Sequence, residues 1–230
     1  MSAASFPIRC KGLLFDMDGT LIDTTIIVES NWKKWCDANG VVFEELIAVS
    51  HGRPSFEILR EFTPVERHAE TLSPEYIKNL EDLVTESTEG MIIIPGTRAL
   101  LESIPRDKWA VVTSAGRNMA NTRFVQTGLP TPPILVSASD IVLGKPNPEG
   151  YLKAAKAMGV DPSECVVFED APAGIRAGSA SGAKAVIGMN TGTMDHKHLV
   201  EAGASPIINS FEEIEVKFLE DGWIEICKKA

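Results

Sequence analysis

The apolar run Gly12-Leu13-Leu14-Phe15 ends in Asp16 and Asp18, two carboxylates one residue apart, with Gly19 directly after them. An apolar run bounded by polar residues reads as a strand buried on both faces, and glycine permits a sharp turn out of it. Carboxylates are costly where a core strand ends, and at such places they commonly hold a metal ion or do chemistry. Three further groups follow or interrupt later apolar runs: Ser114, Lys145 within Gly144-Lys145-Pro146, and Glu169 with Asp170. Singly, each has a plainer reading. Asp16 or Asp18 alone is a turn residue, Ser114 or Asp170 alone a helix N-cap, and Lys145 alone a solvated loop lysine.

What brings them together is the order of elements. Strands are expected at residues 11–15, 109–113, 134–136, 165–168, 185–187 and 207–208. Helices are expected at 97–103, 117–127, 148–158 and 172–181, three of them stopped by Gly128, Gly159 and Gly182. That alternation predicts an α/β fold: a doubly wound, Rossmann-like parallel sheet with helices on both faces. Such sheets bind ligands at the carboxyl ends of their strands, beside a topological switch point. Asp16, Asp18, Ser114, Lys145, Glu169 and Asp170 would converge there.

Between the first strand and Pro95-Gly96 the texture is helical, as in Trp32, Trp35 and Cys36 or Ile58, Leu59 and Phe62. Breakers at Asn39-Gly40, Gly52 with Pro54, Thr63-Pro64 and Ser73-Pro74 divide it into short helices. The last two read as N-cap plus first-turn proline. Residues 24–92 hold thirteen Asp/Glu against six Lys/Arg, so much of the acidic excess lies here. The expected organisation is a catalytic core of residues 1–24 and 93–230 with an all-helical cap at 25–92. Thr24 and Thr88-Glu89-Gly90 are its candidate hinges. The segment from Asp221 to the C-terminus carries no functional signal.

Composition narrows the classes. The 230 residues are 44% hydrophobic and 23% charged, ordinary for a soluble globular protein. No apolar run is long enough to span a bilayer, and the first residues lack the pattern of a signal peptide. Four cysteines form no CxxC pair; Cys10 and Cys165 read as small core residues, and a reducing, cytoplasmic setting is expected. A net charge of −10 argues against nucleic acid or an anionic membrane as partner. A monomer is expected.

Several carboxylates at one sheet edge repel one another and call for a cation. Oxygen ligands without histidine or thiolate suit Mg²⁺. Ser114 and the backbone of Ala115 and Gly116 would cradle phosphate oxygens, and Lys145 adds a positive point charge. One carboxylate is then available to attack phosphorus and another to move protons.

Asp16-Met-Asp18-Gly-Thr-Leu, Ser114, Gly-Lys145-Pro and Glu169-Asp170 resemble, in order, the four motifs of the haloacid dehalogenase-like hydrolase superfamily. The resemblance covers essentially the whole chain. With Gly144 to Tyr151, Val166 to Gly174 and His51-Gly52-Arg53, it is most similar to fungal glycerol-phosphate and 2-deoxyglucose-6-phosphate phosphatases, less so elsewhere in the cap. It implies that Asp16 is the nucleophile and forms an aspartyl-phosphate, and that Asp18 is the general acid and base. It implies a Mg²⁺ held by Asp16, Asp170 and the backbone carbonyl of Asp18, with Glu169 acting through a water. Ser114 would bind the phosphoryl group, and Lys145 would neutralise charge.

In the cap, His51-Gly52-Arg53 suits sugar or polyol hydroxyls, although Arg53 reads equally as a helix cap and His51 as surface. Arg117 and Asn118 face the cleft or are first-turn helix residues. A dehalogenase would lack the second aspartate. A phosphonate hydrolase would need a Schiff-base lysine from the cap, whose lysines are Lys33, Lys34 and Lys78. Three functions remain: a Mg²⁺-dependent sugar or polyol phosphatase, a sugar phosphomutase of the β-phosphoglucomutase type, and a catalytically silent regulatory module.

Overall fold

The computed structural model describes residues 5–191 and 196–229. Its first elements are β1 (Ile8–Cys10), β2 (Gly12–Phe15) and β3 (Ile22–Asp23). A helical stretch follows: α1 (Thr25–Asn39), α2 (Phe43–Ser50), α3 (Ser55–Phe62), α4 (His68–Thr71) and α5 (Pro74–Glu86). The chain returns through β4 (Ile92–Ile93), α6 (Thr97–Ser103), β5 (Trp109–Val112), α7 (Arg117–Thr127), β6 (Leu135–Val136) and α8 (Glu149–Met158). It continues through β7 (Cys165–Glu169), α9 (Pro172–Ala180), β8 (Ala185–Met189), α10 (His196–Ala202), β9 (Ile207–Ile208), β10 (Ile214–Phe218) and β11 (Ile224–Lys228).

Six strands form one parallel sheet in the order β6-β5-β2-β7-β8-β9. The order reverses at β2, so the crevice for a ligand opens above that strand. Phe15 is level with Val111 on one side and Phe168 on the other, which brings the three strand ends abreast. Period two explains the two cores. Leu13 and Phe15 face one side with Leu101 of α6 and Phe124 of α7. Leu14 faces the other with Tyr151 of α8, Ile175 of α9 and Leu199 of α10. The expected doubly wound α/β architecture is therefore present.

The segment from α1 to α5 has its own core around Trp32, Trp35, Leu46, Ile58 and Leu80. The two tryptophan rings meet edge to face at 5.6 Å. Ser73 accepts a bond from the amide of Tyr76, as its position before Pro74 predicts. Thr63 is not an N-cap: its hydroxyl donates to the carbonyl of Leu59 at 2.6 Å. The pairing of β3 with β4 staples the two chain crossings together.

Two features differ from expectation. The C-terminal segment forms a strand, β11, which pairs with β1 and β10 in an antiparallel sheet. Ile224 and Ile226 are fully buried on its inner face, alternating with Glu225 and Cys227. Helix α7 also carries a fully buried arginine, Arg123. It donates to the carbonyls of Val84 and Ser87, while Gln126 donates to that of Thr85. The open carbonyls at the end of α5 are thus capped from the core, where a cation also suits the helix dipole. The Thr88-Glu89-Gly90 hinge candidate lies directly beyond this clamp.

Phe15 is fully buried, stacked on Phe168 at 4.9 Å and edge-on to Trp109 and Phe211. Phe15→Ala is expected to destabilise the fold by about 3–5 kcal/mol, read from urea unfolding midpoints.

Candidate active site

Each strand end delivers its groups by a different local device. After β2 the chain turns back on itself, the amides of Thr20, Leu21 and Ile22 all donating to the carbonyl of Met17. Gly19 has φ of +86°, and an added Cβ there would collide with the carboxylate of Asp170. The loop can approach β7 this closely only with glycine. Asp16 is buried, and its amide is tied to the carbonyl of Phe168 at 3.0 Å. The Asp18 carboxylate accepts the hydroxyl of Thr24 at 2.7 Å, so the first residue of the cap crossing orients it.

Lys145 is not a solvated lysine; its side chain is 4% exposed. Its Nζ donates to Asp16 Oδ1 at 2.5 Å, Glu169 Oε1 at 2.6 Å and the carbonyl of Val112 at 3.2 Å. Glu169 also accepts from the Tyr151 hydroxyl at 2.9 Å and from the amides of Asp170 and Ala171. Asp170 is less engaged, with one long bond from the Thr20 hydroxyl at 3.4 Å. Ser114 and Asp170 are not N-caps, since those positions belong to Gly116 and Ala171.

Asp16, Glu169 and Asp170 can each offer an oxygen lying within 4.8 Å of the other two. Burial pushes the Asp16 carboxyl up to about 8, with Lys145 opposing and Glu169 adding to the rise. The Asp170 carboxyl is pushed far up by burial and by Asp16 and Glu169. Burial also raises Asp18, against the bond from Thr24. Lys145 is raised: Asp16 and Glu169 together outweigh the burial that would lower it. One ammonium does not balance three carboxylates. An all-oxygen set in this state fits a hard divalent cation.

Above these groups lies a cavity of about 120 Å³, lined from below by Asp16, Asp18, Ser114 and Asp170 and from above by the helical segment. The segment is seated on the core. Ser114 Oγ donates to the carbonyl of Gly52 at 2.8 Å, and the amide of Gly144 donates to Glu57 at 3.2 Å. His51 and Arg53 line the cavity, each paired within the cap. His51 meets Glu29 at 3.4 Å, and Arg53 meets Glu57 at 3.6 Å and Glu61 at 3.0 Å.

Two expectations fail. Arg117 turns away and donates to Asp140 and to the carbonyl of Leu135, because its position in the first turn of α7 points it at β6 rather than the cleft. Asn118 lines a separate outer cleft instead of this cavity. Gly116 lines that outer cleft too, with its Cα face against Glu81. The sequence reading missed Thr24 as Asp18's partner, Tyr151 as Glu169's, and the cavity residues Asn31 and Glu81. Asn31 was detectable as a polar residue on the stripe of Val28 and Trp32, at helical spacing. Lys33, Lys34 and Lys78 are all exposed, so no buried cap lysine is available for a Schiff base.

A family model for haloacid dehalogenase-like hydrolases matches residues 10–182. The chain belongs to this family of hydrolases. Hexitol phosphatase A of Escherichia coli is 39% identical over 210 residues, covering 90% of this chain and 94% of that protein. Glycerol-1-phosphate phosphohydrolase 2 of Saccharomyces cerevisiae is 37% identical over 226 residues, covering 91% of this chain and 86% of that one. Among solved structures, a putative β-phosphoglucomutase from Bacteroides vulgatus superposes with a TM-score of 0.70 at 30% identity, covering 87% of this chain and 84% of that one.

Without a cation, the folded protein holds the Asp16 proton up to about 8, against an ordinary value of 3.8. It binds more protons than the unfolded chain in that window, so stability falls as the pH rises through it. A divalent cation is therefore expected to stabilise the protein more at pH 8 than at pH 5. At a hundredfold excess over Kd the gain is about 2.7 kcal/mol. Thermal unfolding with and without Mg²⁺ checks this, and Asp170→Asn should lose most of the gain.

Proposed function

We propose that this enzyme is a phosphatase that hydrolyses a small sugar or polyol phosphate through an aspartyl-phosphate on Asp16. The observation that carries the reading is the position of Lys145. It holds one oxygen of Asp16 and leaves Oδ2 without a hydrogen bond from any described residue. A carboxylate so held keeps one oxygen free, at the wall of the cavity, for attack on phosphorus.

In the first half of the reaction, Asp16 Oδ2 attacks phosphorus, a new O–P bond forms, and the bond to the substrate's alkoxide oxygen breaks. Asp18 delivers its proton to that oxygen. Its raised carboxyl is suited to arrive protonated, and Thr24 fixes its direction. In the second half Asp18 accepts a proton from water as the water attacks phosphorus, and Asp16 leaves as a carboxylate. Lys145 offsets charge on Asp16 throughout. The Ser114 hydroxyl exchanges the Gly52 carbonyl for a phosphoryl oxygen, so substrate binding and seating of the cap compete for one donor.

Asp16 and Asp170, with the backbone carbonyl of Asp18, would hold Mg²⁺ directly. Glu169, whose oxygens are taken up by Lys145, Tyr151 and two amides, acts through a water. The bound cation supplies charge neutralisation for a carboxylate approaching a phosphate dianion. Residues 25–92 act as the cap that excludes bulk water, moving about Thr24 and Thr88–Gly90.

The similarity to a putative β-phosphoglucomutase keeps a second reading, in which the phosphoryl group returns to sugar. A phosphate-release screen over glycerol phosphates, hexose and hexitol 6-phosphates and 2-deoxy sugar phosphates decides between them. Free phosphate is expected; isomerised hexose phosphate without it would establish the mutase. Asp16→Asn is expected to abolish turnover, and Asp18→Asn to lower kcat by about 10²–10⁴-fold.

A further inference from the structure

Helix α5 places Leu80, Glu81 and Val84 against the catalytic cavity. Glu81 also borders the outer cleft, about 550 Å³, between the cap and residues 116–119 and 138–139. It stands where the two spaces meet. Its carboxylate lies against Gly116, where an added Cβ would strike it, at the far end of the Ser114-Ala115-Gly116 turn.

The other cap carboxylates near the cavity all have partners. Glu29 meets His51, Glu57 meets Arg53 and the amide of Gly144, and Glu61 meets Arg53. The Glu81 carboxylate accepts no hydrogen bond and forms no ion pair with any described residue; only its backbone carbonyl accepts one, from the Thr85 hydroxyl. Burial, with Asp82 beside it, raises its carboxyl. Asn31 is similar in one respect. Its amide nitrogen donates to the carbonyl of Ile27 at 2.8 Å, so its oxygen remains an uncommitted acceptor. The cap therefore offers the cavity two free acceptors, while its donors Arg53 and His51 are each paired with cap acids. Trp32, Leu80, Val84 and Met119 complete the wall with apolar surface. Such a wall calls for a ligand that donates hydrogen bonds and carries no negative charge of its own at that end.

Resting on the phosphatase reading, we propose that Glu81, assisted by Asn31, selects the leaving group. It accepts hydrogen bonds from the hydroxyls of a neutral, polyhydroxylated alcohol and repels a leaving group that bears a second negative charge. Discrimination comes from both sides. A hydroxyl-bearing ester satisfies a buried acceptor that an alkyl ester leaves unpaired, and a carboxylate-bearing ester meets like charge in a partly desolvated space.

Three esters of similar length test this with Mg²⁺ present: glycerol 1-phosphate, propyl phosphate and 3-phosphoglycerate. Each is measured as kcat/KM for the wild type, Glu81→Leu and Glu81→Gln. In Glu81→Leu the ratio of glycerol 1-phosphate to propyl phosphate is expected to fall by about 10- to 100-fold. In Glu81→Gln the ratio of 3-phosphoglycerate to glycerol 1-phosphate is expected to rise by about tenfold. Losses that run in parallel over all three esters mark a structural residue and overturn the proposal, as do unmoved ratios. If the wild type releases phosphate from propyl phosphate while the ratios stay fixed, only the role of Glu81 falls. If the three-carbon esters are not substrates, the same ratios are read on glucitol 6-phosphate, hexyl phosphate and 6-phosphogluconate; if phosphate is released from neither set, the phosphatase reading falls with the role of Glu81.

Discussion

A single ammonium group buried among carboxylates sets the geometry of this site. Lys145 is tied at once to Asp16 at the end of β2, to Val112 at the end of β5 and to Glu169 at the end of β7. Three adjacent strands are thereby locked at one edge. Removing one member of such a buried set leaves uncompensated charge, at a cost of about 3–5 kcal/mol. The same bonds divide the labour among the acids. Glu169, fully engaged, fixes Lys145; Asp16 keeps one oxygen open; Asp170, weakly held, is the carboxylate left for a cation. The division follows from which oxygens already have donors.

The cap adds the second constraint. Its loop at Gly52 occupies the Ser114 hydroxyl, and Glu57 reaches the amide just before Lys145. The first contact falls on the hydroxyl that the proposed mechanism gives to the phosphoryl group, and the second falls one residue before Lys145. In the proposed mechanism the Ser114 hydroxyl is therefore shared between cap and phosphoryl group, while Arg123 and Gln126 hold the end of α5 to the core. Both crossings into the cap are thus tied to the core, one by this clamp on α5 and the other by Thr24, whose hydroxyl orients Asp18.

Much of this was legible in the residues, for a physical reason. Core strands are apolar, so a carboxylate, serine or glutamate-aspartate pair at their ends stands out against them, and the parallel sheet makes those ends converge. Lys145 was legible only in company; alone it is a loop lysine, and nothing local announces its burial. Alternation over Ile214–Phe218 and Ile224–Lys228, with Asp221-Gly222 between them, is a local hairpin signal that the sequence reading passed over; only the pairing of β11 with β1, at the other end of the chain, has no local pattern. Arg117 and Asn118 misled because position next to a phosphate cradle does not fix direction on a helix. Arg123 and Glu81 were invisible for the opposite reason. Their surroundings come from elements brought near only by folding: Arg123 reaches Val84 and Ser87 at the end of α5, and Glu81 lies against Gly116.

The central claim is that Asp16 Oδ2 becomes bonded to phosphorus during turnover. Rapid acid quench of the enzyme with a polyol phosphate and Mg²⁺, followed by peptide mass spectrometry, reads that bond directly. The account predicts a transient phosphoryl group on the peptide containing Asp16, absent from Asp16→Asn. Turnover at the full rate with no phosphoryl group on the protein, or one found on another residue, would contradict it.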